Sequence, residues 1–397
     1  MFLFWKNINM LTFEKGYNFV MLLCIYDMFA LSVAKPSPNS GRLVMCDLRR
    51  ESNLGNLMQC NVNKGHFLDY RDIRNWSEKE HDKKYSVRIN CAGGIIYLPW
   101  PFKAKNIISL EVYRCKVLGF LSEMTVKQHI ADELKTVILS DITVEIPFRE
   151  MILLRDRINQ VPKSTDCGQL TMEKLILKDI HYDLKMTPEE RDGVQQASFA
   201  SNAGHNSVKQ QDPCIYKSLK YIDESGSRKS GQYHLKLIPE HSKFPALEVY
   251  NMSGNEMGHV PNAFRHLHSG KFPALRHIDF SNNFLRTFEF DLPTDPKTCR
   301  LEIVDLHNNH INAIPSAITQ RLKNIGNILV DVRHNPLKCG CRLAPFRQYL
   351  ESQYHKVTDV QKRQRVAEIT CINGSILHRK LNKVSILKAT FDKKCQR

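Results

Sequence analysis

Carboxylates are scarce in this chain of 397 residues: 41 Asp and Glu stand against 57 Lys and Arg, for a formal net charge of +16. Such a balance argues against an acidic surface and for acidic partners: nucleic acid, anionic lipid or sulfated polysaccharide. Beyond residue 34 there is no apolar run of membrane-spanning length, which excludes a multi-pass membrane protein. The last residues, FDKKCQR, lack the hydrophobic tail of a lipid-anchor signal. Catalytic signatures are missing too: no G-x-S-x-G, H-E-x-x-H, G-K-S/T or EF-hand pattern occurs. What is not lacking is apolar content. With 42% hydrophobic and 25% charged residues the chain is composed to fold, and its length suggests two or three compact units.

The one long apolar run lies at the start. Residues 18–34 read NFVMLLCIYDMFALSVA, with Lys6 and Lys15 upstream and the small-residue pattern Ser32-Val33-Ala34 at the end. That order is the order of a secretory signal, expected over 1–34; an uncleaved signal anchor is the alternative. The expected mature chain is therefore secreted and extracellular, which removes nucleic acid from the partner list. Twelve cysteines agree with export, and eleven remain once Cys24 is lost with the signal. N-x-S acceptor sites for glycosylation stand at Asn75, Asn251 and Asn373.

An internal period carries the fold. LEVYNMSGNEM begins at Leu247, LRHIDFSNNFL at Leu275, LEIVDLHNNHI at Leu301 and NILVDVRHNPL at Asn327. Each fits L-x-x-L-x-L-x-x-N-x-L, with Asn at 255, 283, 309 and 335, so the step is 26 to 28 residues. This is the leucine-rich repeat. The L-x-L core is a short strand, and the Asn amide can serve backbone groups where the chain leaves the sheet. Diverged copies follow Ile107, Leu110 and Val112 with Cys115 at the Asn position, Leu134, Val137 and Leu139 with Ile142 there, and Met172, Leu175 and Leu177 with Ile180 there. Ordinary strand remains the alternative for the two Ile-type copies. The fold class expected is α/β: a leucine-rich repeat solenoid, curved, with short parallel strands on its concave face and disulfide-bonded end caps. Its expected divisions are an N-terminal cap over 35–98, diverged repeats over 99–186, a polar insertion over 187–240, regular repeats over 241–337 and a cysteine-rich C-terminal cap over 338–397. YKSLKYIDESG, around Leu219, is a candidate degenerate repeat inside the insertion.

Cys339-x-Cys341, Cys371 and Cys395 resemble the cysteine-rich C-terminal cap of extracellular leucine-rich repeat proteins such as Toll-receptor ectodomains and Slit. The resemblance implies the pairs Cys339–Cys371 and Cys341–Cys395; a four-thiolate zinc site is the rival on residue type alone. YSVRINCAGGIIYLP resembles the first cap strand of that family, with Cys91 on it. Cys60–Cys91 is favoured there over Cys46–Cys60, and Cys115 is expected as a buried free thiol. Cys167 and Cys214 could clip the insertion. The block LPWPFKAKNIISLEVYRCKVLGFLSE also resembles secreted insect proteins of the singed-wings kind, which implies hormone-dependent development.

The expected function is recognition of an extracellular protein ligand or receptor on the concave face, without catalysis, cofactor or metal. The candidate ligand-binding residues are His277, Asp279, Asp305, His307, Asp331 and Arg333. The row Asp279, Asp305 and Asp331 with His307 could pass for a catalytic constellation, but Asp between two apolar strand residues is ordinary for an L-D-L repeat. Between 336 and 397, fourteen Lys and Arg face four Asp and Glu. That makes a heparan-like polysaccharide a second expected partner, held at Lys362, Arg363, Arg365, Arg379 and Lys380, with a matrix-associated role as the alternative function.

Overall fold

The computed structural model describes residues 46–51, 55–80, 83–123, 131–150, 171–188, 190–191, 215–227, 242–260, 262–267, 270–292, 300–326, 328–373 and 382–389. The expected signal, Cys167, Cys214, Arg379, Lys380 and Cys395 lie outside these residues.

Most strands join one sheet. Strand β1 (Cys46–Glu51) pairs antiparallel with β2 (Gly55–Asn63); from β2 onwards every pairing is parallel. The path continues through β4 (Tyr85–Ala92), β6 (Ile107–Tyr113), β8 (Thr136–Pro147), β9 (Lys174–Lys185), β10 (Tyr221–Asp223), β11 (Val249–Asn251), β12 (His277–Asp279), β13 (Ile303–Asp305) and β14 (Leu329–Asp331). The repeat positions set the register. Ile222, Tyr250, Ile278, Val304 and Val330 are paired in succession, and all are buried. Each such side chain withdraws about 1.5–3 kcal/mol worth of apolar surface from water. Tyr216, Phe244 and Phe272 stack beneath them as a column of rings with centroids 5.4 Å apart.

β10 corrects one expected boundary. Residues 215–227 are a repeat within the sheet and not part of a polar insertion, because Leu219 and Ile222 are fully buried against their neighbours. Glu224 and Ser227 occupy places that hold an apolar residue and Asn elsewhere, which hides this copy. Glu224 is half-buried and accepts a hydrogen bond from the Tyr250 hydroxyl at 2.9 Å. Burial pushes its carboxyl above the usual value of 4.5, the Tyr250 bond opposes this, and the Asp223 charge adds to it. A carboxyl whose folded pKa is raised contributes stability below its unfolded pKa and loses it as pH rises through the folded value. Glu224→Gln is therefore expected to raise the melting temperature at pH 7, and the gain should vanish at about pH 4, as thermal melts at the two pH values would show.

Where the chain leaves the strand it turns through one left-handed residue per repeat. Arg114, Asp141, Asp179, Gly226, Gly254, Asn282, Asn308 and His334 all have positive φ, and each immediately precedes the repeat's corner position. In the regular repeats that corner is filled by Asn255, Asn283, Asn309 and Asn335, all buried. Their amides form a ladder. Asn283 donates to Met252 O and Phe280 O, Asn309 to Phe280 O and Leu306 O, and Asn335 to Leu306 O and Val332 O. Their carbonyls accept from the next turn of the preceding repeat: Met257 N to Asn283, Leu285 N to Asn309, Ile311 N to Asn335. Ile142 and Ile180 have no amide to offer. There pairing resumes beyond the left-handed Asp141 and Asp179, and β8 and β9 run side by side from Thr136–Lys174 to Pro147–Lys185. Strands β3 (Phe67–Asp69), β5 (Ile95–Tyr97) and β7 (Lys116–Leu118) extend this second row of pairing towards the N-terminal cap.

The N-terminal cap is the β1–β2 hairpin with helix α1 (Tyr70–Lys79), which starts at an Asp69 cap. α1 is fixed by a buried bidentate pair, Arg74–Glu123 at 3.0 and 3.2 Å, and by the Ser77 hydroxyl donating to Lys105 O. The disulfides here are Cys46–Cys60 and Cys91–Cys115, not Cys60–Cys91, and Cys115 is not a free thiol. Register explains both. β1 places Cys46 directly opposite Cys60, with Cα atoms 4.2 Å apart. Cys60 pairs with Ile89, two residues out of step with Cys91. Arg114, in its left-handed conformation, turns Cys115 off the end of β6 to within 4.8 Å (Cα–Cα) of Cys91.

Helices α2 (Asn262–Arg265) and α3 (Ser316–Ile325) fall between the strands of the regular repeats, and at the other end α4 (Ala344–Lys356) and α5 (Val360–Ala367) cover the last repeat with Phe346, Tyr349, Leu350 and Val366. β15 (Thr370–Asn373) pairs antiparallel with β16 (Asn382–Ser385), and its Ile372 N–H bonds to Leu337 O. A Cys339–Cys371 disulfide ties this strand to the exit of the last repeat. Cys341 is disulfide-bonded too.

Candidate functional site

The side chains that alternate away from the core form three parallel rows on the inner face of β10 to β14. The first row is Tyr221, Val249, His277, Ile303 and Leu329, the second Asp223, Asn251, Asp279, Asp305 and Asp331, and the third Ser225, Ser253, Ser281, His307 and Arg333. The middle row has a structural task. In every repeat its Oδ1 accepts the backbone N–H two residues on: Ser225, Ser253, Ser281, His307 and Arg333, at 2.8 to 3.1 Å. Asp and Asn recur here because a short side-chain oxygen is the group that can close this turn.

The expected ligand-binding residues are thus brought together, but they fall into two groups. Towards the C-terminus the carboxylates are neutralised within the chain. Asp305 meets His307 Nδ1 at 2.7 Å and Arg365 of α5 at 3.8 Å. Asp331, fully buried, is gripped by Arg333 through Nε and Nη2, and Arg333 reaches Glu368 at 2.6 Å. Burial alone would raise the Asp305 carboxyl; hydrogen bonds and charge from His307, with Arg365, outweigh it and hold it below the usual range. The bond to Asp305 in turn raises the His307 imidazole above 6.5, so that pair is complete below that pH and is lost as pH rises through the raised value. Asp305, His307 and Asp331 lie close enough to share a cation. Their oxygens are already committed to an imidazole and two guanidinium groups, which oppose one.

Asp223 and Asp279 differ. No cation among the described residues pairs with either. Burial, helped by the Asp305 charge, raises the Asp279 carboxyl, against the hydrogen bonds from Ser281. The neighbouring row is Tyr221, Val249, His277 and Ile303, each half-buried, and His277 Nε2 is buried with no hydrogen-bond partner among the described residues. Lys174 lies over the Tyr221 ring at 5.2 Å. An acidic window backed by a partly apolar row therefore sits between Lys174 on one side and Arg333 and Arg365 on the other.

Of the five residues expected to gather for polyanion binding, Lys362, Arg363 and Arg365 are described, all on α5, while Arg379 and Lys380 lie outside the described residues. Arg365 turns to Asp305, and Arg363 donates to Val357 O and stacks on Tyr354. Lys362 is half-buried on α5. Among the acceptor asparagines, Asn75 is exposed on α1, and Asn251 stands in the middle row between Asp223 and Asp279. Asn373 closes β15. Two features escape sequence reading altogether: the left-handed column, and the crossing of α5 onto the inner face.

Parallel strands in register, an asparagine ladder and capped ends define a leucine-rich repeat solenoid. No protein-family model matches the chain, and no curated protein does. Among solved structures it is similar to human 5T4 (Wnt-activated inhibitory factor 1, trophoblast glycoprotein), at 15% identity over 84% of this chain and 92% of that one, TM-score 0.40. It is similar to the mouse RP105/MD-1 complex, at 15% identity over 84% of this chain and 50% of that one, TM-score 0.42. A chain of the octameric complex of Latrophilin 3, Unc5D and FLRT2 matches at 13% identity over 77% of this chain and 88% of that one, TM-score 0.37. The fold assignment rests on the ladder and the register. No helix of the described residues is long and apolar enough to cross a membrane.

Proposed function

We propose that this chain is an extracellular recognition protein whose inner face binds a protein ligand presenting basic side chains beside apolar ones. The observation that carries this reading is the acidic window: Asp223 and Asp279, paired with no cation among the described residues, on a rigid sheet next to Tyr221, Val249 and His277. A lysine or arginine arriving there meets a carboxylate already held in place by its turn. Its charge also favours the ionised Asp279 carboxyl, opposing the rise that burial causes. Solenoids present such fixed arrays along their inner face without having to order them on binding.

The test uses substitutions that keep the turn. Asn251 already performs the Asp task in its repeat, so Asp223→Asn with Asp279→Asn should leave the fold intact while removing both charges; Ser225→Ala and Ser281→Ala are carried in both bait chains, because Asn at 223 or 279 would otherwise complete an N-x-S acceptor. With the secreted chain as bait in extracellular fluid, the captured partner is expected to bind the double variant at least about tenfold more weakly, a change of about 1.4 kcal/mol. The loss should shrink as salt is raised. Equal capture by both chains, with equal melting temperatures, would place the ligand elsewhere.

A further inference from the structure

The outermost strand of the sheet is β1, and among the described residues nothing pairs with its far edge. All four of its central residues, Asp47 to Arg50, are exposed, Leu48 to 58%. An open edge of this kind is a template for another strand. We propose that it pairs antiparallel with β1 of a second copy of this chain, forming a two-fold dimer centred on Leu48.

The backbone says which groups are free. Cα atoms of Cys46 and Cys60 are 4.2 Å apart, the spacing of a non-hydrogen-bonded antiparallel pair (about 4.5 Å, against about 5.5 Å for a bonded one). Cys46 therefore turns its N–H and C=O away from β2, and so, two and four residues on, do Leu48 and Arg50.

Symmetry then limits the register. A two-fold axis normal to the sheet keeps each side chain on its own face. Opposed residues must share parity, and the axis must pass beside a residue. Centred on Asp47, the dimer sets Asp against Asp. Centred on Arg49 or Arg50, it sets Arg against Arg. Centred on Leu48, it sets Leu48 against Leu48 and Asp47 against Arg49 twice. The free groups of Cys46, Leu48 and Arg50 then meet in about six backbone hydrogen bonds, following from the alternation of bonded pairs. Asp47 and Arg49 already approach each other within one chain, at 3.5 Å, so both are poised on the same face. The opposite face carries Leu48 beside a groove of about 840 Å³ lined by Met58, Leu68, Ile73 and Trp76. There the second leucine finds apolar surface.

A six-residue strand buries little area, so the dimer belongs among weak, concentration-dependent assemblies. Sedimentation velocity of the secreted chain over a concentration series should show monomer giving way to dimer. Arg49→Asp sets like charges opposite each other and should raise the dissociation constant at least about tenfold. Asp47→Arg added to Arg49→Asp swaps the charges and should restore it. Leu48→Cys should yield a disulfide-linked dimer, whereas Val360→Cys, 74% exposed at the far end of the solenoid, should not. A wild-type chain that stays monomeric throughout, including one whose edge pairs only with a different protein, would overturn the proposal. So would a dimer indifferent to Arg49→Asp, or one that the charge swap fails to restore.

Discussion

Asn309→Ala is expected to destabilise the protein by about 2–4 kcal/mol, and the more telling result is how that loss combines with its neighbours. The substitution orphans the Leu285 N–H outright. It only halves the service to two carbonyls, because Phe280 O keeps Asn283 and Leu306 O keeps Asn335. Adding Asn283→Ala removes the second donor from Phe280 O and leaves it bare. The double variant should therefore lose about 1 kcal/mol or more beyond the sum of the single losses. Asn255 and Asn309 share no group, so Asn255→Ala with Asn309→Ala should be additive. Denaturant unfolding of the three single and two double variants measures both couplings. Additivity for the adjacent pair would mean that the ladder is a row of independent caps.

Opening the C-terminal cap should cost about as much. Cys339→Ala with Cys371→Ala removes a cross-link between residues 32 apart, worth about 3–4 kcal/mol on chain-entropy grounds. The location argues for the full effect. Cys371 is fully buried, and its strand is what holds Leu337 and Ile369 against the last repeat. Denaturant unfolding and limited proteolysis check this together: early cleavage near β15 should accompany the loss of stability. An unchanged midpoint would make the cap an appendage that unfolds apart from the solenoid.

The regular repeats were legible because one constraint recurs. Leu301, Val304, Leu306 and Asn309 each have a physical task that their counterparts 26 residues away share. Legibility failed where a task changed hands. Ile142 and Ile180 look like departures from the pattern, yet they mark the place where strand pairing takes over from an amide. The copy at Leu219 was obscured by Glu224 and Ser227 falling in succession at two diagnostic positions. Cysteine pairing depends on a strand register that spacing does not encode, so Cys115 found Cys91 without any local signal. The acidic row could be read from the L-D-L pattern. Its division into neutralised and unpaired carboxylates could not, because Arg365 lies 60 residues beyond Asp305 in sequence and reaches it only through the docking of α5.

The double row of pairing in β8 and β9 also makes the molecule mechanically uneven. Their twelve-residue ladders cross the corner that elsewhere is spanned by single side-chain amides, so bending there must break backbone pairs on two faces at once. From β10 onwards each strand is three residues long, and from β11 onwards each corner is held by one asparagine. The solenoid is therefore held in two ways, by a double backbone ladder around residues 136–185 and by single side-chain turns beyond it. The acidic window begins at the first strand beyond the ladder, where the carboxylates that would meet a ligand are also the groups that close the turns.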